Sequence, residues 1–417
     1  MVNKTIKNEA EPIAMVNQLN NKRILISGAS IAGPALAYWL NQYGFTVTVV
    51  EQSKVMRTGG YKIDTRGKCI EVLKAMRLYE QVQKYNVHTE LAIFVDDEGK
   101  TVTEMPATEL GMREQDDIEL LRGDLSNILY EATQDTCEYL FGDSVKTINQ
   151  LENEIEVEFV KGQPRTFDLL IGADGIHSNV RSLVFGAEQQ FLYDLGHYYY
   201  GIYSVKNYLH LANKELFYSK ENKQLNLSST NLNENFKVIH LFQDLHFKFD
   251  YRNIDQQKAV LMKHYENQKW ETPVLLNAMQ HAPDFYFDAA KQVRMPAWSK
   301  GRVALIGDSA YSPALTSGQG SSIAIVGAYV LAGELFAAKG NYQTAFDSYE
   351  RQMRPYIQLN QELGETVMHF ILPNTNSWLN RWMDKLKSFC LPKNYAIKKL
   401  REQFHRAANG IKLKQYG

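Results

Sequence analysis

Arg23-Ile24-Leu25-Ile26-Ser27-Gly28-Ala29-Ser30-Ile31-Ala32-Gly33 is the stretch that decides the fold. A short aliphatic run ends in a glycine turn, and Pro34 to Gly44 then carries helix-compatible residues up to a terminating glycine. Phe45 to Glu51 (FTVTVVE) is β-branched and apolar, as suits a second strand of a parallel sheet buried on both faces. Strand, turn, helix and strand make a βαβ unit, and the turn is a dinucleotide fingerprint whose middle glycine is replaced by Ser30. Gly28 permits the tight turn, Gly33, next to Ala32, lets the helix pack closely on the strand, and the helix N-terminus attracts a pyrophosphate. Glu51 ends the second strand, where a carboxylate can accept hydrogen bonds from ribose hydroxyls, and Gln52 follows it.

Outward from this unit, residues 147–160 (TINQLENEIEVEFV) alternate apolar and polar around Glu152-Asn153 as a hairpin does, and Phe167 to Ile171 is a further apolar strand. From Phe191 to Phe249 the chain is rich in Tyr, Phe, Leu and Asn with turn clusters at 220–223 and 231–235, the pattern of several antiparallel strands. Arg302 to Ile306 is another buried strand, ending in Gly307-Asp308, so the first domain is expected to be discontinuous. The division expected is a flexible leader at 1–21, a nucleotide-binding domain at 22–80, 111–185 and 286–340, a substrate domain at 81–110 and 186–285, and bridging C-terminal helices at 341–417, with breaks near Pro373 and Pro392.

Composition narrows the partners. The 417 residues hold 46 Lys+Arg against 47 Asp+Glu, a formal net charge of -1 without a dense basic block, so nucleic acid is not an expected partner. The longest apolar run noted, Ile323 to Gly333, is broken by Glu334 and is too short for a membrane span of about 20 residues, so stable membrane insertion is not expected. Cys69, Cys137 and Cys390 are odd in number and show no metal-ligand spacing, which argues against a zinc site and for a reducing cytoplasm. A cytoplasmic monomer without a metal is the expectation.

Two later motifs choose the dinucleotide. Residues 168–181 read DLLIGADGIHSNVR and residues 301–320 read GRVALIGDSAYSPALTSGQG. In these the sequence resembles the class A flavoprotein monooxygenases: Asp174, Gly175, Ser178 and Arg181 match the family's Asp-Gly motif position by position, and Asp308 matches its Gly-Asp motif. The resemblance implies that Asp308 accepts a hydrogen bond from the ribityl chain of FAD, with Pro313 in the following loop. Gly318-Gln319-Gly320-Ser321 would open a helix whose free amides, worth about half a positive charge, face the flavin pyrimidine edge. Arg122, in IELLRGDL, matches a family arginine near the flavin diphosphate or ribityl chain. The family pattern has His, Pro and Asn where this chain has Tyr311, Leu315 and Ser322.

Gly59 to Gly67 (GGYKIDTRG), EQDDIELLRGDL, IHSNVRSLVFG and the GQG loop narrow the resemblance to the tetracycline-inactivating branch, the tetracycline destructases, over roughly residues 22–370. Gly60 would let the backbone approach the isoalloxazine edge, and Asp64 would lie near flavin and substrate. In the aromatic segment, alternation puts Tyr198 and Tyr200 on one strand face and His240 with Phe242 on one face of another. Tyr200, Phe217 and His240 are the candidate substrate residues. The fold expected is α/β, a Rossmann-type FAD-binding domain with an antiparallel β-sheet substrate domain and C-terminal helices. No second dinucleotide domain is visible, so NADPH or NADH would dock transiently. The function implied is hydroxylation of a small aromatic or polyketide substrate with O2, tetracycline and hence antibiotic resistance foremost, the flavin carrying the chemistry without a certain catalytic side chain. A hydroxylase of another phenolic metabolite and a non-catalytic, drug-sequestering flavoprotein are the alternatives. A halogenase is disfavoured because no Trp-x-Trp pair occurs. Trp378, Trp382 and Leu386 form a helical stripe at i, i+4, i+8, suited to a strap or a gate.

Overall fold

β1 (Arg23–Ser27) carries four consecutive buried residues after an exposed Arg23, the signature of a strand covered on both faces. The computed structural model describes residues 19–56, 60–230, 234–247, 250–371 and 393–416. In it β1 lies inside a six-stranded sheet ordered β17 (Ser299–Lys300), β18 (Val303–Leu305), β11 (Leu169–Gly172), β1, β2 (Thr46–Glu51) and β7 (Glu138–Phe141). Every neighbouring pair is parallel except β17 with β18. A three-stranded meander, β8 (Val145–Gln150), β9 (Ile155–Phe159) and β10 (Arg165–Phe167), is attached to it. The helices Ala32–Gln42 and Gly320–Ala337 pack on each other over the sheet. The second of these is long and apolar enough to cross a membrane by length and composition, and it is also buried along most of its length, as the core helix of a folded domain is.

The second sheet has seven strands in the order β16 (Tyr286–Val293), β12 (Leu192–Lys206), β15 (Asn235–Gln243), β14 (Lys223–Ser229), β13 (Lys214–Lys220), β4 (Leu91–Val95) and β5 (Thr101–Pro106). It is antiparallel apart from β13 with β4. One face is covered by the helices Ile254–Tyr265 and Thr272–His281, whose Leu261, Tyr265, Leu275, Leu276 and Met279 share a core with Tyr203, Leu225, Leu227, Val238 and Phe242. Its other face meets the first domain through a two-stranded antiparallel sheet of β3 (Lys62–Thr65) and β6 (Ile118–Leu121), where Lys62 Nζ pairs with Glu119 at 3.1 Å and with Glu215 of β13.

Two expected boundaries are corrected. Strand β16 belongs to the antiparallel sheet, paired with β12, so the chain re-enters the first domain after residue 293 rather than at 286. Residues 19–21 are not part of a free leader: Leu19 is buried, the Asn20 amide donates to Lys339 O and Asn21 Nδ2 to Gly340 O. Helices Tyr342–Ile371 and Lys393–Asn409 form the C-terminal part, with Leu400, Phe404 and Ala407 buried against Leu363 and Val367. The chain then ends its described course on the first domain, where Lys414 Nζ and Tyr416 Oη each lie 2.7 Å from the buried carboxylate of Glu334. The stripe of Trp378, Trp382 and Leu386 lies outside the described residues.

Candidate active site

The turn after β1 has the form its sequence demands. Gly28 has φ 111°, its amide donates to Val50 O at 2.8 Å, and a Cβ on it would lie 2.4 Å from Ala173 O. A Cβ on Gly33 would lie 1.9 Å from Gly28 O, so helix and turn touch backbone to backbone. The helix Ala32–Gln42 has neither a side-chain cap nor an acid in its first turn, and Gly320–Ala337 begins the same way at Gln319. Both therefore present amides that have no partner within the helix. Glu51 Oε2 accepts from the Ala29 amide at 2.9 Å and Oε1 from Ser53 at 2.9 Å, which fixes the carboxylate at the lip of the turn; Gln52 beside it is exposed. Ser30 Oγ sits 3.4 Å from Ser126 Oγ, and Ser126 donates to Arg122 O, tying the fingerprint to the helix that starts at Arg122. The Arg122 amide donates to Tyr61 O, and Gly60 lies against the Arg122 side chain.

Two carboxylates flank the Gly318-to-Gly320 loop. A Cβ on Gly320 would lie 3.8 Å from Asp308 Oδ1, and one on Gly318 would lie 3.7 Å from Asp64 Oδ2. Burial pushes the Asp308 carboxyl up, against the opposing pull of the Arg122 charge and a hydrogen bond with Ser312. Asp64 goes the other way. Burial opposes its charge, but Arg113 (2.8 Å) and Arg66 (2.6 Å) outweigh that and hold it at about 2. Gln319 is wholly buried and neither polar atom of its side-chain amide has a partner. Ser321 is half-buried, and the Pro313 carbonyl accepts from Gln292 Nε2 at 3.2 Å.

In the Asp-Gly motif the structure separates three residues that the sequence groups together. Asp174 is turned inward, accepting from Ser178 Oγ and from the Val180 amide at 2.9 Å, so it caps the helix Asn179–Val184. Arg181 is fully buried and donates to Ser309 O at 3.0 Å and to Ile176 O, bracing this loop against the Gly-Asp motif. Gly175 alone faces open space, with nothing within 4 Å of a Cβ placed on it. The bare backbones at Gly60, Gly175, Gly318 and Gly320, the open helix amides and the Glu51 acceptor fit a flat, dianionic dinucleotide. A family model described as an FAD binding domain matches residues 21–362.

The chain belongs to the FAD-dependent monooxygenases. It is 38% identical to a flavin-dependent monooxygenase of Legionella longbeachae over 84% of this chain and 90% of that one. The crystal structure of tetracycline destructase Tet(51) is similar at TM-score 0.84 and 34% identity, covering 95% of this chain and 100% of that chain. Tet(55) is similar at TM-score 0.82, also at 34% identity. The cofactor of this monooxygenase is FAD, and reduced nicotinamide and O2 are the co-substrates of its class. Among the described residues no group of His, Cys, Asp and Glu is arranged to hold a metal ion.

Register decides which aromatics of the monooxygenase face the flavin-binding domain. Tyr200 is paired with Leu241 and Asp288, whereas His240 is paired with Gly201. Directly opposed residues share a face, so Tyr200, Asp288 and Tyr286 point one way and His240 the other. A Cβ on Gly201 would strike Leu261 of a covering helix at 2.3 Å, which marks the His240 side as the helix-covered one. His240 is therefore corrected from substrate residue to core: it is fully buried, bonded to Tyr203 Oη at 2.9 Å, edge-on to Tyr265, and desolvation lowers its pKa to about 3. Phe217 is on the other face, stacked on Phe94 with ring centres 5.0 Å apart, on the wall of a 530 Å³ surface cavity that also takes in Asp96, Asp97 and Glu98.

Sequence reading missed a cluster where the two domains meet. Tyr61 and Arg122 from the first domain lie within electrostatic reach of Tyr286 from the second, and Asp288, 1% exposed, accepts from Tyr286 Oη at 2.9 Å. His177, in the Asp-Gly loop, reaches Asp288 with Nε2 at 3.2 Å and Glu188 with Nδ1 at 3.1 Å, and stacks on Tyr251 at 4.0 Å. Burial works against its charge, but these two carboxylates outweigh it and lift the imidazole to about 9. The available signal was the i, i+2 pair Tyr286 and Asp288, which alternation puts on one face of the strand.

Proposed function

We propose that this monooxygenase hydroxylates a polycyclic phenol or enol of the tetracycline type, with NADPH or NADH as reductant, and so inactivates the compound. The observation that supports this substrate most is the near-full-length likeness to Tet(51), at 34% identity over 95% of the chain. The Asp64 motif, Tyr200 and Phe217 belong to the proposed pocket, and the buried free thiols Cys69 and Cys137 support a reducing, cytoplasmic setting.

The residues present divide the work. The N-termini of the helices Ala32–Gln42 and Gly320–Ala337, Glu51, Arg122 and Asp308 would hold FAD. Once bound and reduced, FAD would activate O2 and supply the electrophilic oxygen atom. The amides of Gly320 and Ser321 favour negative charge in front of them. Asp64, kept ionised by two guanidiniums, accepts hydrogen bonds and takes no proton at neutral pH. The apolar wall of Tyr198, Tyr200, Ile202, Leu241 and Ala314 keeps water from the opposite side.

The test is NADPH oxidation and O2 uptake with tetracycline against simple phenols, and mass spectrometry of the products. Tetracycline-dependent turnover yielding a mass gain of one oxygen atom supports the reading. Turnover of simple phenols alone moves it to another phenolic metabolite, and tight binding without turnover to sequestration.

A further inference from the structure

A row of side chains that crosses the antiparallel sheet ends in a cavity. Ile202 of β12 is paired with Ile239, Ile239 with Asn226, Asn226 with Phe217, and Phe217 with Phe94 of β4. Opposed residues share a face, so the row runs from the apolar wall at Ile202 to the stacked rings of Phe94 and Phe217. Three strand spacings put Phe217 about 14 Å from Ile202. This is the face that meets the first domain, because Glu215, two residues before Phe217 and on the same side of the strand, is bonded to Lys62. The cavity measures 530 Å³, within the range of about 300–1,000 Å³ for small-molecule sites. Its walls include Phe94 and Phe217, and the turn between β4 and β5 supplies Asp96, Asp97 and Glu98.

The charged and amide groups left without partners here are acceptors. Asp97 is matched by Tyr218 Oη at 2.8 Å and by Lys220 and Lys269. Asp96 accepts the Glu98 and Lys100 amides on Oδ1 at 3.0 and 2.8 Å, and its Oδ2 is left over. Among the described residues neither Asp96 nor Glu98 is in an ion pair. Asn226, 8% exposed and beside Phe217, directs Nδ2 at Leu216 O at 3.5 Å and keeps Oδ1 without a partner. An amide carbonyl, two carboxylates and the negative faces of two rings suit the same kind of ligand group, one that carries positive charge and donates a hydrogen bond.

We propose that this cavity binds a protonated amine carried at one end of a polycyclic substrate, with the rings of Phe94 and Phe217 and the carboxylates of Asp96 and Glu98 as its partners. The assignment rests on the polycyclic phenol or enol reading above and adds a second requirement to it: the molecule bears a cation as well as an oxidisable ring. With the amine held at the cavity, the fused rings lie along the row toward Ile202, and the anchored end sets how the rest meets the flavin-facing wall. A simple phenol is too short to use both ends, and a neutral polycycle leaves the two carboxylates to water.

The test is titration calorimetry on FAD-loaded, oxidised protein without reductant, with two pairs of probes that differ in the amine. One pair is tetracycline and 4-dedimethylaminotetracycline; the other is 2-naphthylmethylamine and 2-naphthylmethanol. Wild type is expected to bind each amine at least about fivefold more tightly than its amine-free counterpart, the worth of a cation over an aromatic face beside an exposed carboxylate. High salt is expected to narrow that gap, because the carboxylates are exposed. The double variant Asp96→Asn/Glu98→Gln is expected to bring both preferences to within about twofold. Asn at position 96 keeps the oxygen that the Glu98 and Lys100 amides use, so the turn is retained. Phe217→Leu, apolar but without a ring face, is expected to lower the preference as well. No preference in wild type for either pair, or one that survives in both variants, overturns the proposal. If tetracycline is oxidised yet neither pair separates, the amine site alone falls. If the naphthyl pair separates in wild type and not in the variants while tetracycline is neither bound nor oxidised, the amine site stands and the tetracycline reading falls.

Discussion

Asp308 and His240 illustrate how differently two residues of comparable prominence in a sequence can be used. Asp308 borders the Gly320 loop and feels Arg122, so Asp308→Ala is expected to weaken FAD binding roughly ten- to a hundredfold, the worth of a lost charged hydrogen bond of about 1.5–3 kcal/mol. His240→Ala removes a ring wedged between Tyr203 and Tyr265 and is expected to lower the melting temperature while leaving FAD affinity and the Michaelis constant within about twofold. Measuring FAD dissociation constants and melting curves for both variants checks this, and equal FAD retention removes Asp308 from the cofactor site. His177 carries a pH signature of opposite kind. Its folded value of about 9 lies above its ordinary 6.5, so its charge stabilises the fold fully below about pH 6.5, and that contribution is lost as pH rises through about 9. The melting-temperature gap between wild type and His177→Gln is expected to be widest near pH 6 and to close by about pH 10. A gap that stays constant over that range means that His177 is not ionised in the folded protein.

Elements were legible in proportion to how local their causes are. The turn at Gly28–Gly33 and strands β1 and β2 follow from sterics and burial within thirty residues, and the structure has the expected α/β arrangement there. Residues 286–293 are expected in the first domain because nothing local in their sequence sets them apart, and only pairing with β12 tells where β16 belongs. The helices Ile254–Tyr265 and Thr272–His281, which bury His240, were not read at all, and without them the helix-covered face of the sheet passes for a substrate wall. His177 and Asp288 meet across 111 residues, a contact no local pattern announces. Contacts distant in sequence also hold the two-stranded β3–β6 sheet, where Lys62 is shared between Glu119 and Glu215 with 9% of its side chain exposed. Lys62→Met leaves two buried carboxylates facing each other, and a loss of about 3–5 kcal/mol is expected, read as a lower unfolding midpoint in denaturant. A midpoint unchanged from wild type means that the pair is dispensable to the contact between the two sheets.

On the scale of the molecule, the C-terminal helix is fastened as well as placed. Phe404 lies under the Arg66 guanidinium at 5.3 Å, Asn360 donates to Ala407 O at 3.0 Å, and Gly67 abuts the Ala408 backbone. Arg66 in turn holds Asp64, so the tail bears indirectly on the proposed pocket. Truncation after Pro373 is expected to lower the melting temperature and the FAD content together, since it also strips Tyr416 and Lys414 from the buried Glu334. A truncated protein that melts normally, keeps its flavin and shows only a raised Michaelis constant would assign the tail to gating instead. The order of the parallel sheet has a further consequence, for biosynthesis. β11 leaves the ribosome as an open edge, and its partner β18 follows about 130 residues later. At 5–20 residues per second that is on the order of ten seconds in which an apolar strand has no neighbour on one side, while strands β12 to β16 are made between the two and complete the antiparallel sheet begun by β4 and β5. Nascent chains stalled before residue 303 should therefore be held by chaperones, and those stalled well beyond residue 337 should not, because the first domain closes only after the second is complete.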